Sequence, residues 1–350
     1  MRRALVMDMK RISAITASLA ILCQLLPPVL FAKDKSIYGM DNRLEYFEAG
    51  EDMQKLADSV VLLWASEDME LDERTGMYFL ETMTLREKLS DRYPLCPGVK
   101  FAGQPTGAFG ACGGALVGED LVMTAGHCVP DDAACEDRKI VFGFAIKEPG
   151  GSAPDKVPQR DVYDCKTIVK RSFSRDPEWS PPPGQKMGED YALIRLDRKV
   201  TGHKPLAINR KQKLAWGEQL FIIGNPQGIP LKVAGGASVR DVTKIGYFLT
   251  DLDSFGGNSG SPVFNASTHL IEGILSGGER DFRPTEERCW VMAVYPQNEG
   301  RGERVTRVSA LEALIPELKP ARPAGFHAMR VETFPLTDEN VKQRFGINFR

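Results

Sequence analysis

An all-β protein is what this sequence predicts, and three observations carry the prediction. Between Cys112 and Ser309 short apolar runs recur, each of strand length and too short for a helix. Turn residues separate them, as in Gly118-Glu119-Asp120 and Gly224-Asn225-Pro226. In this later part, helical periodicity first enters at residues 309–318, where Leu311, Leu314, Ile315 and Leu318 share one face. Many short strands with such punctuation predict an antiparallel sandwich or barrel.

The first 32 residues read differently from the rest. Lys10 and Arg11 open an apolar run over 12–26, and Val29-Leu30-Phe31-Ala32 then meets the charged Lys33-Asp34-Lys35. This is the layout of a secretory signal peptide, cleaved after Ala32. As a membrane span the run is short and quickly interrupted by Pro27-Pro28. The expected location is therefore secreted or periplasmic. Cleavage would also remove Cys23, leaving Cys96, Cys112, Cys128, Cys135, Cys165 and Cys289. An even set in an exported chain favours disulfides. A formal net charge of -2 gives no electrostatic argument for nucleic acid or an acidic membrane surface. The sequence contains no C-x-x-C pair and no H-E-x-x-H, so no metal site is expected.

Residues 33–95 are acidic and mixed. Within them 57–65 (ADSVVLLWA) reads as a buried strand and 84–92 as a short helix. The segment is read as a propeptide, an extra layer, or both, with Val60-Val61-Leu62-Leu63 packing on a barrel as its first strand. Farther on, 115–117, 121–124, 139–145, 191–196, 219–223, 244–252 and 270–275 have strand length. Residues 149–158 and 174–188 are read as exposed loops. The tail at 321–350 carries no assignment.

Three segments carry chemistry. His127 lies in Thr124-Ala125-Gly126-His127-Cys128, just after an apolar strand. A strand end can hold an imidazole in one orientation, and an imidazole can take a proton from a hydroxyl and return it to a leaving amine. Asp190 opens Asp190-Tyr191-Ala192-Leu193-Ile194-Arg195-Leu196. Alone it is a strand-initiating turn residue; beside a histidine it would fix the tautomer and stabilise the imidazolium. Ser259 sits in Phe255-Gly256-Gly257-Asn258-Ser259-Gly260-Ser261-Pro262. No Gly-Lys-Ser/Thr follows, which excludes a P-loop. Glycines there let the Gly257 and Ser259 N–H groups converge on the oxyanion of a tetrahedral intermediate.

In the order His, Asp, Ser these segments resemble the signatures of the trypsin-like serine peptidases. The Gly-Asn-Ser-Gly-Ser-Pro form is most similar to the bacterial branch that includes the glutamyl endopeptidases. The resemblance covers roughly residues 96–318. It implies two six-stranded antiparallel β-barrels of chymotrypsin type, over 96–205 and 206–320, with a C-terminal helix. It implies a catalytic triad of His127, Asp190 and Ser259 and an oxyanion hole of Gly257 and Ser259. It also implies a Cys112–Cys128 disulfide and a substrate-binding edge at Ser276, Gly277 and Gly278, with Ser276 supporting the aspartate. The expected protein is a secreted endopeptidase, monomeric, acting on proteins or peptides without a cofactor. A chymotrypsin-fold binding protein without activity is the rival, and it usually lacks a triad member.

Some positions depart from the family. Asn258 stands where the animal enzymes place an aspartate that pairs with a newly freed N-terminal amine. Phe255 replaces a frequent disulfide cysteine. Leu275 occupies the place of the glutamyl-specific histidine, so glutamyl specificity does not carry over. Asp253, six residues before Ser259, falls at the acid of a basic-specific pocket and would then select Arg or Lys. The alternative, a plain turn residue, stays open.

Overall fold

The computed structural model describes residues 36–107, 111–173 and 189–318. The signal-peptide, 174–188 and 321–350 readings lie outside them. After a two-residue strand at Ile37–Tyr38 come a short strand, β1 (Arg43–Glu45), and a helix, α1 (Glu51–Ala57). Six strands then close on themselves: β2 (Val60–Ala65), β3 (Cys112–Leu116), β4 (Leu121–Thr124), β5 (Arg138–Phe142), β6 (Val162–Phe173) and β7 (Asp190–Leu196). They run in the ring order β5-β6-β7-β4-β3-β2. Strands β2, β3 and β4 are buried at every residue, so they read as unbroken apolar runs without alternation.

The second ring comprises β8 (Gln219–Gly224), β9 (Lys232–Asp241), β10 (Tyr247–Thr250), β11 (Pro262–Asn265), β12 (Ile271–Gly277) and β13 (Glu303–Arg307). Its order is β8-β11-β12-β13-β10-β9, closed by β8 on β9. Both rings are antiparallel, so the fold is the two-barrel, chymotrypsin-like one. Val61, Ala115, Met123 and Leu193 fill the first, Leu220, Val239, Phe248 and Val305 the second. The first core continues into Phe221, Ile223, Phe264 and Ile274, which seals one barrel to the other.

The segment before Cys96 is built into both barrels. Strand β2 lies between β3 and β5 and supplies the first barrel's first strand. Strand β1 adds to β9 through Lys232↔Glu45 and Val233↔Leu44, on the stretch that β10 does not reach. The Lys232 ammonium, 1% exposed, is held by Glu45 Oε2 at 2.8 Å. Three disulfides join Cys96–Cys289, Cys112–Cys128 and Cys135–Cys165.

The helix expected over 309–318 is not formed as one. Val308–Ala310 makes a 3-10 turn, followed by a turn that bonds Ile315 N–H to Leu311 O. Pro316 has no N–H for a fourth-back carbonyl and its ring would clash there. The Arg210 guanidinium instead takes the carbonyls of Glu312, Ile315 and Pro316.

Candidate active site

Strand β4 ends at Thr124, and Gly126–Cys128 follows as a tight turn that carries His127. Glycine is required before the histidine: a Cβ at 126 would lie 2.1 Å from Ser172 O and 2.9 Å from Tyr191 O. The turn is thereby seated on β6 and β7, where Asp190 begins β7. Asp190 is buried and receives His127 twice. Its Oδ1 accepts the His127 backbone N–H at 3.0 Å, and its Oδ2 lies 2.8 Å from Nδ1. An ionised carboxylate only accepts, so Nδ1 carries the proton and Nε2 keeps its lone pair. Phe173 flanks the imidazole, with ring centroids 5.8 Å apart.

Asp190 is itself anchored from the second barrel. Its N–H donates to Thr306 Oγ1 at 3.2 Å, and the Thr306 hydroxyl lies 3.5 Å from Ser276 Oγ. Ser276 Oγ in turn donates to Arg304 O at 3.3 Å. Ser276 thus reaches the aspartate's backbone through Thr306, a link the sequence did not reveal.

Ser259 is 6% exposed, in the loop between β10 and β11. Its carbonyl accepts Gly113 N–H at 2.7 Å, and Gly260 N–H donates to Leu275 O at 2.8 Å. Gly260 has φ +88°, and a Cβ there would lie 2.1 Å from Gly113 O and 2.2 Å from Thr124 Oγ1. The Ser259 loop can approach the first barrel only because that residue is glycine. Gly113 adjoins Cys112, whose disulfide to Cys128 adjoins His127, so a short bonded circuit leads from Ser259 to the histidine. Donor atoms of Cys112, His127 and Cys128 lie within 4.8 Å of one another. Both sulfurs are spent in the disulfide and are not thiolate ligands, so the cluster does not suit a metal.

A family model for the trypsin-like peptidase domain matches residues 112–273, which span His127, Asp190 and Ser259. Residues 112–273 are thus a trypsin-like peptidase domain. Among solved structures, the peptidase is similar to a serine endoprotease from Yersinia pestis, at 14% identity and TM-score 0.40 over 75% of this chain. It spans 62% of that protein's length. It is also similar to a scabies mite inactivated protease paralogue, at 16% identity and TM-score 0.43, over 79% of this chain and 96% of that one. The glutamyl-endopeptidase branch is not confirmed by these likenesses.

In the peptidase, Asp253 is buried and both oxygens meet the N-terminal segment: Oδ1 accepts Tyr38 N–H and Oδ2 accepts Asn42 N–H, each at 2.8 Å. The structure thus shows it bracing residues 38–42. The carboxylate against the Ser276–Gly278 stretch is Glu303, fully buried, so close that a Cβ on Gly278 would lie 2.1 Å from either oxygen. Glu303 accepts from Ser254 Oγ at 2.6 Å and from Glu279 N–H at 3.2 Å. No local motif marks Glu303, because its partners lie 49 and 24 residues away.

Burial pushes the Asp253 carboxyl up to about 7, against the two backbone N–H bonds and Arg43. The folded value lies above the unfolded one, near 3.8. The linked stabilisation is therefore complete below the lower value and lost as pH rises through the higher one, on the order of 4 kcal/mol in all. The stability difference between wild type and Asp253→Asn, read from urea midpoints, should shrink as pH rises from 4 to 8. A pH-independent difference would contradict this.

Proposed function

We propose that the protein is an exported endopeptidase that cleaves peptide bonds through an acyl-enzyme on Ser259. The observation that carries this reading is the double grip of Asp190 on His127, which leaves Nε2 as the base. Ser259 Oγ attacks the scissile carbonyl carbon while Nε2 accepts its proton. The imidazolium, stabilised by Asp190, then protonates the leaving amine as the C–N bond breaks. Water, deprotonated by the same nitrogen, hydrolyses the ester and frees the acid. Gly257 and Ser259 N–H groups hold the oxyanion in both steps. Substrate backbone adds as a strand along Ser276–Gly278, where β12 runs on beyond its pairing with β11. The three disulfides support an oxidising compartment.

The test is a mixed peptide library digested by the wild type and by Ser259→Ala, with products mapped by mass spectrometry. Cleavage by the first and none by the second is expected. Products from both proteins would remove Ser259 as nucleophile, and none from either would favour a silent binding protein.

A further inference from the structure

A buried lysine from the N-terminal segment ends beneath the nucleophile loop. Helix α2 (Leu85–Leu89) packs Leu85 and Leu89 with Ile229 and Phe255. These apolar partners end the 225–229 turn and begin the Phe255–Ser259 loop. Lys88, 9% exposed, donates from Nζ to Gly107 O at 2.9 Å, Thr106 Oγ1 at 3.1 Å and Gln227 O at 3.2 Å. Thr106 Oγ1 adds a bond to the same Gln227 carbonyl at 2.7 Å. Burying an ammonium is costly unless it finds several acceptors. Gln227 O is one of three acceptors that share this ammonium, and it is also held by the Thr106 hydroxyl.

Gln227 is held in the left-handed region, with φ 56° and ψ 14°, which a non-glycine residue adopts only under constraint. In that conformation its N–H donates to Gly256 O, and its side-chain amide to Asp281 Oδ2. The same Asp281 oxygen accepts Gly256 N–H at 2.9 Å. Gly257 lies so close that a Cβ would meet Asn225 O at 2.7 Å and Gln227 N at 2.8 Å. A trans peptide is planar, with its C=O and N–H pointing opposite ways. Fixing Gly256 O on Gln227 therefore fixes the direction of the Gly257 N–H.

We propose that Lys88 is a positioning residue of the peptidase: by holding Gln227 it orients the Gly257 N–H that binds the oxyanion. The hole is then assembled by a side chain internal to the 36–107 segment, with no freed N-terminal amine. The inference rests on the acyl-enzyme reading above.

Charge matters to this role. Burial holds the Lys88 ammonium below the usual lysine range, at about 8, against the attraction of Asp68. Asp281 lies beyond Gln227; on α2 itself, Glu87 turns to Thr84, and Arg86 to the carbonyls of Leu95 and Cys96. The ammonium is present below about pH 8 and lost above it, so kcat should fall as pH rises through that value.

The experiment measures kcat and KM on a peptide amide for the full-length wild type, Lys88→Met, Lys88→Arg and Lys88→Ala, from pH 6 to 9.5. Melting temperature and affinity for a non-reactive product peptide accompany each. Lys88→Met should lose kcat by about 10²–10³-fold, as for loss of one oxyanion donor, with KM and product affinity little changed. Lys88→Arg should recover most of kcat and lack the alkaline fall near pH 8, since a guanidinium keeps its charge. Propylammonium should restore part of the activity of Lys88→Ala. A kcat within threefold of wild type in Lys88→Met overturns the proposal, as does an unchanged alkaline limb in Lys88→Arg. If Lys88→Met fails to fold, the wild-type limb and its loss in Lys88→Arg decide the matter. Wild-type activity that survives Ser259→Ala overturns the peptidase reading instead, and the two failures are distinct.

Discussion

Asp190→Asn is expected to lower kcat by about 10⁴-fold while leaving the fold and KM nearly unchanged. The carboxylate accepts both the backbone N–H and the Nδ1–H of His127. An asparagine can keep the first bond with its oxygen, and then its amide N–H faces Nδ1. The imidazole must answer by presenting a lone pair at Nδ1, which moves the proton to Nε2. A protonated Nε2 cannot take the Ser259 proton, so the nucleophile stays a neutral alcohol. Because the side chains are the same size and Asp190 N–H still bonds Thr306, the strand end has no cause to move. Steady-state kinetics on a peptide amide, with a melting curve for each protein, would check this. A kcat reduced by less than tenfold would show that the Asp190 carboxylate is not what sets the tautomer.

Deleting residues 36–65 should abolish folding outright. Strand β2 pairs on one edge with β3, Val60↔Ala115 to Leu63↔Cys112, and on the other with β5, Val61↔Phe142 to Ala65↔Arg138. Removing it opens the first barrel and exposes two strand edges. It also deletes Val60, Val61, Leu62, Leu63 and Trp64, each no more than 3% exposed. At roughly 1.5–3 kcal/mol per buried apolar side chain the loss is about 10 kcal/mol, comparable to a whole domain's stability of about 5–15 kcal/mol. Circular dichroism of the truncated chain should show no cooperative melt, and the active wild type should retain these residues when its N-terminus is sequenced. A truncated chain that folds and cleaves would mean that this region is a removable propeptide.

The candidates His127, Asp190 and Ser259 could be picked from the sequence because each sits in a local pattern whose geometry a few neighbours dictate. A glycine before His127, an apolar strand after Asp190 and glycines around Ser259 are read from adjacent residues, and the contacts at Gly126 and Gly260 show why no other residue fits. The long strands were harder. Val162–Phe173 carries Lys166, Lys170 and Arg171 on exposed or half-exposed positions, and so it lacks an apolar run. Lys232–Asp241 contains Gly235-Gly236, which reads as a turn although it continues a strand. The contacts of Asp253, Glu303 and Lys88 escaped because their partners lie tens to hundreds of residues away. The 309–318 pattern misled because apolar spacing does not register the missing N–H of Pro316.

Any peptidase is exposed to its own kind, and the cysteine pairing bears on how it survives a cut. The segment between Lys147 and Asp155 is a surface excursion outside the barrel strands. It lies inside the Cys135–Cys165 loop and also inside the span of 193 residues closed by Cys96–Cys289. A chain severed there remains one covalent molecule, with His127 on one side of the break and Asp190 and Ser259 on the other still tethered to the same scaffold. Autolysis at this place would appear on a reducing gel and leave a non-reducing gel unchanged, so scission and inactivation become separate events.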